Sequence, residues 1–238
     1  MAAPATFLRR YAAYSFDVAI VLVIAVPLVA WQLGDVPAAF DMAVASLQQR
    51  LFELFDSELF DSALYDGALY DAGPFELARR WADDPGLRAG LAAVADVVLD
   101  ALVVAMLIVV LAAAVWFIGF ESSARQATPG KAALGLRVIA VDGGRPSFGR
   151  VAARFIAGAP SWALLHLGHA MAAWTKDRRA LHDLIAGTRV VQHDAPGTPL
   201  PAWATAWLFL QVAAFFGLTG FVLLRYAQLL NEAVGASG

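Results

Sequence analysis

Cysteine is absent from this sequence and charged residues are scarce. None of the 238 residues is Cys, which excludes a disulfide framework, a Cys-based zinc site and thiol redox chemistry. Asp, Glu, Lys and Arg make up 16% of the chain, against about 25% in an ordinary soluble domain. A composition that is 60% hydrophobic excludes a disordered chain, and a net charge of −3 gives no basic footprint for nucleic acid.

Three apolar runs are each long enough to cross a bilayer, which takes about 20 mostly apolar residues in a helix. They are residues 11–33, 101–120 and 203–224, and Asp17 is the one charged residue within them. Tryptophans lie toward the ends of the runs, at the level where lipid headgroups favour amphipathic rings. These runs predict an integral membrane protein.

The placement of Lys and Arg predicts the topology, because cytoplasmic loops are enriched in these residues. Arg9 and Arg10 predict a cytoplasmic N-terminus. The connection 34–98 is rich in Asp and Glu and is expected outside, whereas the connections 121–154 and 175–202 are basic and are expected inside. The bilayer is therefore the expected partner of the chain.

A fourth apolar region, residues 155–174, lies between the two basic connections. A single crossing would put those connections on opposite sides of the membrane. We therefore expect residues 147–174 to form a helical hairpin that breaks at Pro160, enters from the cytoplasm and returns. An ordinary fourth span is the alternative.

Two short segments have the composition of β-strands. Residues 136–141 (LRVIAV) and 188–192 (TRVVQ) are rich in Val and Ile and are bordered by glycines. Isolated strands are unstable, so we predict that these two pair on the cytoplasmic face. The predicted fold is an all-α polytopic membrane protein with three to four transmembrane helices, one region as a re-entrant hairpin, and a small cytoplasmic two-strand element.

The acidic connection contains a tandem repeat of five residues, with units that start at Leu54, Leu59, Leu64 and Leu69. A period of five matches neither a helix face nor a strand face, so we interpret the repeat as a solvated loop. Its aspartates could alternatively bind divalent cations weakly. Upstream, apolar residues from Phe40 to Leu54 fit one face of an amphipathic helix on the outer leaflet.

Ionisable groups at membrane depth are costly, and by default they are functional candidates. Asp17 lies about two turns inside the first run, seven residues after Arg10. The side chain of Arg10 is expected to point away from Asp17. We therefore predict that Asp17 pairs with Arg154 or with a basic residue of segment 176–179. A structural ion pair and a proton-carrying or cation-carrying role both stay open.

Other polar residues give weaker signals. His166, His169 and His182 could be metal ligands or proton carriers, but no set of carboxylates or thiols accompanies them, so we predict interior histidines, no metal and no cofactor. The segment 128–131 (TPGK) fails as a Walker A loop, because Arg125 stands where its first glycine is needed. Because no catalytic constellation is present, we do not expect an enzyme.

Four segments in order resemble the RDD family of bacterial membrane proteins, which is named for one arginine and two aspartates. They are residues 9–17 (RRYAAYSFD), 128–138 (TPGKAALGLRV), 142–149 (DGGRPSFG) and 177–191 (DRRALHDLIAGTRVV). Arg10 and Asp17 match the first two family positions, and Asp183 is preferred over Asp177 for the third. The resemblance implies a bacterial inner membrane location and a suspected transport role.

The resemblance also suggests a division of the chain into four parts. Residues 1–33 carry the first span, 34–97 are the external insert, 98–193 complete the RDD domain, and 194–238 form a linker and the last span. The expected function is non-enzymatic transport of an ion or small solute, and a scaffold or assembly factor with structural ion pairs is the alternative. Its partner would be a second copy or another membrane protein. The candidate ion-pair or transport residues are Arg10, Asp17, Arg154, Arg179, His182 and Asp183.

Overall fold

The protein is mostly helical, with one small sheet. A computed structural model describes residues 3–64, 74–164, 166–195 and 197–235. In chain order the elements are β1 (Ala3–Pro4), α1 (Phe7–Gln32), α2 (Val36–Leu64), α3 (Pro74–Asp83), α4 (Pro85–Ser122), α5 (Pro129–Ala133), β2 (Leu136–Ala140), α6 (Phe148–Ile156), α7 (Ala159–Ala163), α8 (Leu167–Ala170), 3-10 turns at Met171–Ala173 and Lys176–Arg178, α9 (Leu181–Ala186), β3 (Thr188–Gln192) and α10 (Ala202–Gly235).

Three helices are long and apolar enough to cross a membrane: α1, α4 and most of α10. Their apolar side chains are largely uncovered, and Val23, Val115 and Leu224 expose 74%, 77% and 67% of their surfaces. Exposed apolar surface of this extent fits contact with lipid rather than with water. The prediction of a polytopic α-helical membrane protein is confirmed.

The fourth apolar region forms only short helices. In the described part of residues 155–174, α7, α8 and a 3-10 turn follow the last residues of α6. None of these pieces approaches the length of a span, so the alternative of an ordinary fourth helix is not realised. The chain breaks at Ala157–Gly158, just before Pro160, and α6 and α8 both pack against α9. That this region re-enters the membrane stays a prediction.

The two predicted strands do pair. In the antiparallel register Leu136 faces Gln192, Val138 faces Val190 and Ala140 faces Thr188. The N-terminal residues add β1 to the other edge of β3, which gives the order β1-β3-β2. Two strands were predicted and three are found, because the dipeptide Ala3–Pro4 has no strand signature of its own.

One compact unit comprises Met1–Val21 and Ala113–Gly238. Its core lies where one face of the sheet covers the start of α1. Leu136, Val138 and Val190 pack there with Ala12 and Ala13, and with the start of α10. Small alanines let the backbones approach closely, as is usual where helices pack in membranes.

The other compact unit comprises Leu22–Ala112. Its helix α2 runs from Val36 through the first two repeat units to Leu64, so the interpretation of these residues as a loop is wrong. The remaining repeat residues, 65–73, lie outside the described residues. Helices α2 and α4 approach closely where Gly90 meets Leu47.

Candidate functional site: a buried charge network

Five charged side chains form a continuous chain of alternating sign inside the first unit. The order is Arg10, Asp183, Arg154, Glu121 and Lys131, and we call this set the charge network. Four of its members are buried and Arg10 is nearly so. The network joins the start of α1 and the end of α4 to α5, α6 and α9.

Asp183 is the centre of the network. It forms ion pairs with Arg10 and with Arg154. The Thr188 hydroxyl donates to its Oδ1 at 3.3 Å, and the backbone N–H of Ala180 donates to its Oδ2 at 3.1 Å. The second bond satisfies a free donor at the start of α9, which is the usual place for a carboxylate. This fully buried carboxylate therefore has four donors.

Glu121 links the other two cations. Its carboxylate accepts from Lys131 Nζ at 2.7 Å and from Arg154 Nε at 3.1 Å. The Lys131 ammonium also lies 5.0 Å from the ring centre of Phe117, within range of a cation–π interaction. Burial lowers the pKa of Arg154, and the negative charge of Glu121 opposes that shift.

Asp17 lies beside the network and is held by uncharged donors. It is 0% exposed. The Thr128 hydroxyl donates to its Oδ2, while the Gly130 N–H and Trp116 Nε1 donate to its Oδ1 at 2.8 Å and 3.3 Å. The prediction of a basic partner for Asp17 is therefore wrong, because the turn that begins α5 offers its donors instead.

The turn reaches Asp17 because position 130 is glycine. A Cβ atom there would lie 2.5 Å from the carbonyl oxygen of Ala13 and 2.9 Å from the Asp17 carboxylate. Thr128 caps the same turn, and Pro129 occupies its first position, where a missing N–H costs nothing. The segment that fails as a phosphate loop is thus the binding site of the protein's own carboxylate.

The structure brings together three of the predicted site residues: Arg10, Arg154 and Asp183. Arg179 is close, but it donates to the carbonyl oxygens of Thr188 and Asp183 at 3.2 Å and 3.0 Å rather than to a carboxylate. The sequence interpretation missed Glu121 and Lys131. Their signals are a charge directly after the apolar run 101–120 and a lysine within the family-like segment 128–138.

The three histidines form a cluster beside the network. Ring centres lie 5.3 Å apart for His166 and His169, and 4.8 Å apart for His169 and His182. Burial lowers the pKa of His169 to about 4 and that of His182 well below its ordinary value. His182 is therefore neutral, and its 3.9 Å approach to Asp183 is not an ion pair.

Three polar atoms around these histidines are buried without a hydrogen-bond partner: His169 Nδ1, His182 Nδ1 and Ser161 Oγ. Each such atom is costly, by about 1–3 kcal/mol. In residues 3–64, 74–164, 166–195 and 197–235, no group of three His, Asp or Glu side chains is placed to hold a metal ion. The cluster therefore contains unpaired polar atoms on His169 and on His182.

A separate cation fixes the N-terminal segment. Arg9 is 2% exposed, pairs with Asp194, and donates to the carbonyl oxygens of Leu134, Thr198 and Pro199 at 3.3, 3.2 and 2.9 Å. The start of α1 is thereby attached to the segment that follows β3. The adjacent arginines thus serve different partners, since Arg10 enters the charge network.

Three apolar helices with a charge network buried beside them define a polytopic integral membrane protein. The sequence model of the RDD family matches residues 4–187, and the chain belongs to the RDD family. This family is not a known enzyme family.

The uncharacterised protein YxaI of Bacillus subtilis (strain 168) is 35% identical over 86 residues, which are 36% of this chain. The match covers 56% of YxaI, so the chain spans about half the length of this curated relative. No solved structure matches the chain.

Proposed function

We propose that this protein is a non-enzymatic membrane scaffold, in which the charge network clamps the membrane helices to the sheet. One observation carries the proposal: each charged group of the network, and Asp17, has its partners within the chain. Three cations (Arg10, Lys131, Arg154) stand against three anions (Asp17, Glu121, Asp183), so their formal charges sum to zero.

The energetics favour a clamp over a carrier. Removing an ion from water costs several kcal/mol, and partners inside the protein offset that cost only when the geometry is good. A group that loads and releases an ion needs access to water, whereas Asp17 and Asp183 have none. Both carboxylates also hold backbone N–H groups, which ties them to helix ends rather than to a pathway.

The proposed orientation places the N-terminus and the sheet in the cytoplasm, with the chain in the bacterial inner membrane. Pairing of β1, β2 and β3 supports one common side for all three strands. Cysteine labelling tests this orientation, because the chain has no natural Cys. An impermeant thiol reagent should label Ser57→Cys from outside and reach Ala195→Cys only after permeabilisation. The opposite pattern would invert the orientation.

The clamp is tested with Asp17→Asn, measured for both stability and flux in proteoliposomes. Asn keeps the size of the side chain, but it removes the negative charge and places an NH2 group where the Thr128 hydroxyl donates to Oδ2. A clamp therefore predicts a lower melting temperature and no change in ion flux per folded molecule. A carrier predicts normal melting and loss of flux. Asp35→Asn, at an exposed position, is the matched control.

Transport of a proton or small solute is the second candidate, and the histidine cluster favours it. Unpaired Nδ1 atoms on His169 and His182 could accept a proton or bind a polar solute. Proteoliposomes that hold a pH-sensitive dye test this candidate after an imposed pH or Na⁺ gradient. A flux that His169→Gln and His182→Gln remove would replace the scaffold proposal.

A scaffold needs a partner, and we propose another membrane protein or a second copy. The start of helix α10 packs in the core, but most of the rest is uncovered, with Phe209, Phe215, Phe216 and Phe221 each more than half exposed. Crosslinking through Cys placed at Phe216 in native membranes distinguishes the two partners by the mass of the product. No crosslink to any protein would leave α10 as a lipid-facing helix.

A further inference from the structure

Two short helices of the first unit, α6 and α9, each bury a charged side chain and expose apolar side chains. On α6, Arg154 is buried in the charge network, whereas Phe148 and Ile156 expose about two thirds of their surfaces. On α9, Asp183 is buried and Ile185 is exposed. Arg150 on α6 is also exposed. Helices that bury a charge and expose apolar and basic side chains fit the interface between lipid and water.

Residues 174–178 (WTKDR) lie between α6 and α9 in the chain and contain two basic side chains; we call this segment the basic loop. Trp174 is 67% exposed, and Lys176 and Arg178 are also exposed. With Asp177, the loop carries two positive charges and one negative charge. Within the described residues, no acidic side chain forms a salt bridge with Lys176 or Arg178.

The basic loop has a fixed conformation that is locally unfavourable. Asp177 and Arg178 have φ angles of 62° and 51°, in the left-handed region that non-glycine residues rarely adopt. Arg10 of the charge network donates to the carbonyl oxygen of Arg178, and the Thr175 hydroxyl donates to that of Arg179 at 2.6 Å. The protein therefore holds the loop in place from its buried side while its cations stay uncovered.

We propose that the basic loop binds the headgroup of an anionic phospholipid, with Trp174 inserted at the interface and Lys176 and Arg178 on the phosphate. A tryptophan beside cations is the usual composition at the headgroup level, and each basic residue near an anionic surface strengthens binding about fivefold. Charge complementarity selects an anionic lipid over a zwitterionic one. This proposal goes beyond the scaffold function and does not depend on it.

The test is native mass spectrometry of the full chain in detergent with added phosphatidylglycerol or phosphatidylcholine. The wild type should retain phosphatidylglycerol preferentially. Lys176→Gln with Arg178→Gln should lower that retention by about 25-fold, the product of two fivefold losses. The matched control is Arg125→Gln with Arg145→Gln, which removes the same charge from two other exposed cations and should keep the preference.

Two further measurements keep the proposal falsifiable. Trp174→Gln should weaken retention of both lipids, whereas Trp174→Phe should keep most of it, and circular dichroism reports whether each variant is folded. Inorganic phosphate at the same concentration as the lipid should not compete, because a free ion cannot use Trp174. The proposal would be overturned by an equal loss in the control pair, by competition from phosphate, or by a wild type with no lipid preference. A wild type without a lipid preference would favour an acidic protein partner.

Discussion

The two compact units use ion pairs in opposite ways. In the unit of Met1–Val21 and Ala113–Gly238, the paired charges are buried and join residues distant in sequence, such as Arg10 and Asp183. In the unit of Leu22–Ala112, the described pairs are open or partly open to solvent, as for Arg88 with Asp83 and Arg50 with Asp84. The same residue types therefore act as internal structure in one unit and as surface in the other.

Burial is what makes the difference. The two side chains of an exposed pair exchange contacts with water for contacts with each other, and water screens their charges. Such a pair therefore contributes little to the free energy of folding. When one partner of a buried pair is removed, the remaining charge cannot reach water and is left uncompensated. Variants that delete single charges in the two units should therefore differ sharply.

The largest effect is expected for Asp183→Asn. This change removes the anion between Arg10 and Arg154 and leaves buried positive charge in excess. We expect a loss of about 3–5 kcal/mol of folding free energy, measured by thermal or denaturant unfolding in mild detergent. Asp83→Asn, which breaks an exposed pair, is the control and should change little. Equal effects of the two changes would contradict the contrast between the units.

A smaller effect is expected for Gly130→Ala. The added methyl group would press on the Ala13 carbonyl and on Asp17, so the turn that holds Asp17 must shift. Overpacking of this kind costs about 1–3 kcal/mol, which a lower melting temperature would report. Gly149→Ala is the control, because nothing lies within 4 Å of its Cβ position. A stabilising Gly130→Ala would show that the turn is not tightly packed.

The third prediction concerns pH and the histidine cluster. The pKa of His169 is about 4 in the folded protein, against about 6.5 in an unfolded chain. Between these values the unfolded chain binds more protons, so stability is fully present above pH 6.5 and falls as the pH drops toward 4. His169→Gln should reduce this slope of melting temperature against pH. An unchanged slope would assign the acid sensitivity to other groups.

The smallest effect is expected in the second unit, for Asp84→Asn. Hydrogen bonds from Arg50 and from the Leu87 N–H lower the pKa of Asp84 to about 2. Asn removes the charge but still caps the helix start, and Arg50 keeps Glu53 as a second partner. We expect a melting temperature close to that of the wild type. A fall in melting temperature as large as that of Asp183→Asn would show that exposure does not determine how much an ion pair contributes to stability.

The sequence by itself determined the membrane class, the three long helices and the pairing of residues 136–140 with 188–192. Each depends on local composition: a run of about 20 apolar residues has few fates outside a bilayer, and short Val-rich and Ile-rich segments favour a pleated surface. The resemblance of four ordered segments also sufficed to indicate the RDD family.

Only the tertiary structure decided the partners of the charges. Arg10 and Asp183 are 173 residues apart, and Asp17 and Gly130 are 113 apart. No local pattern states which cation meets which carboxylate, or that a backbone N–H takes the place of the expected arginine at Asp17. Such choices depend on close approach of segments in space, and at Asp17 that approach depends on the missing side chain of Gly130.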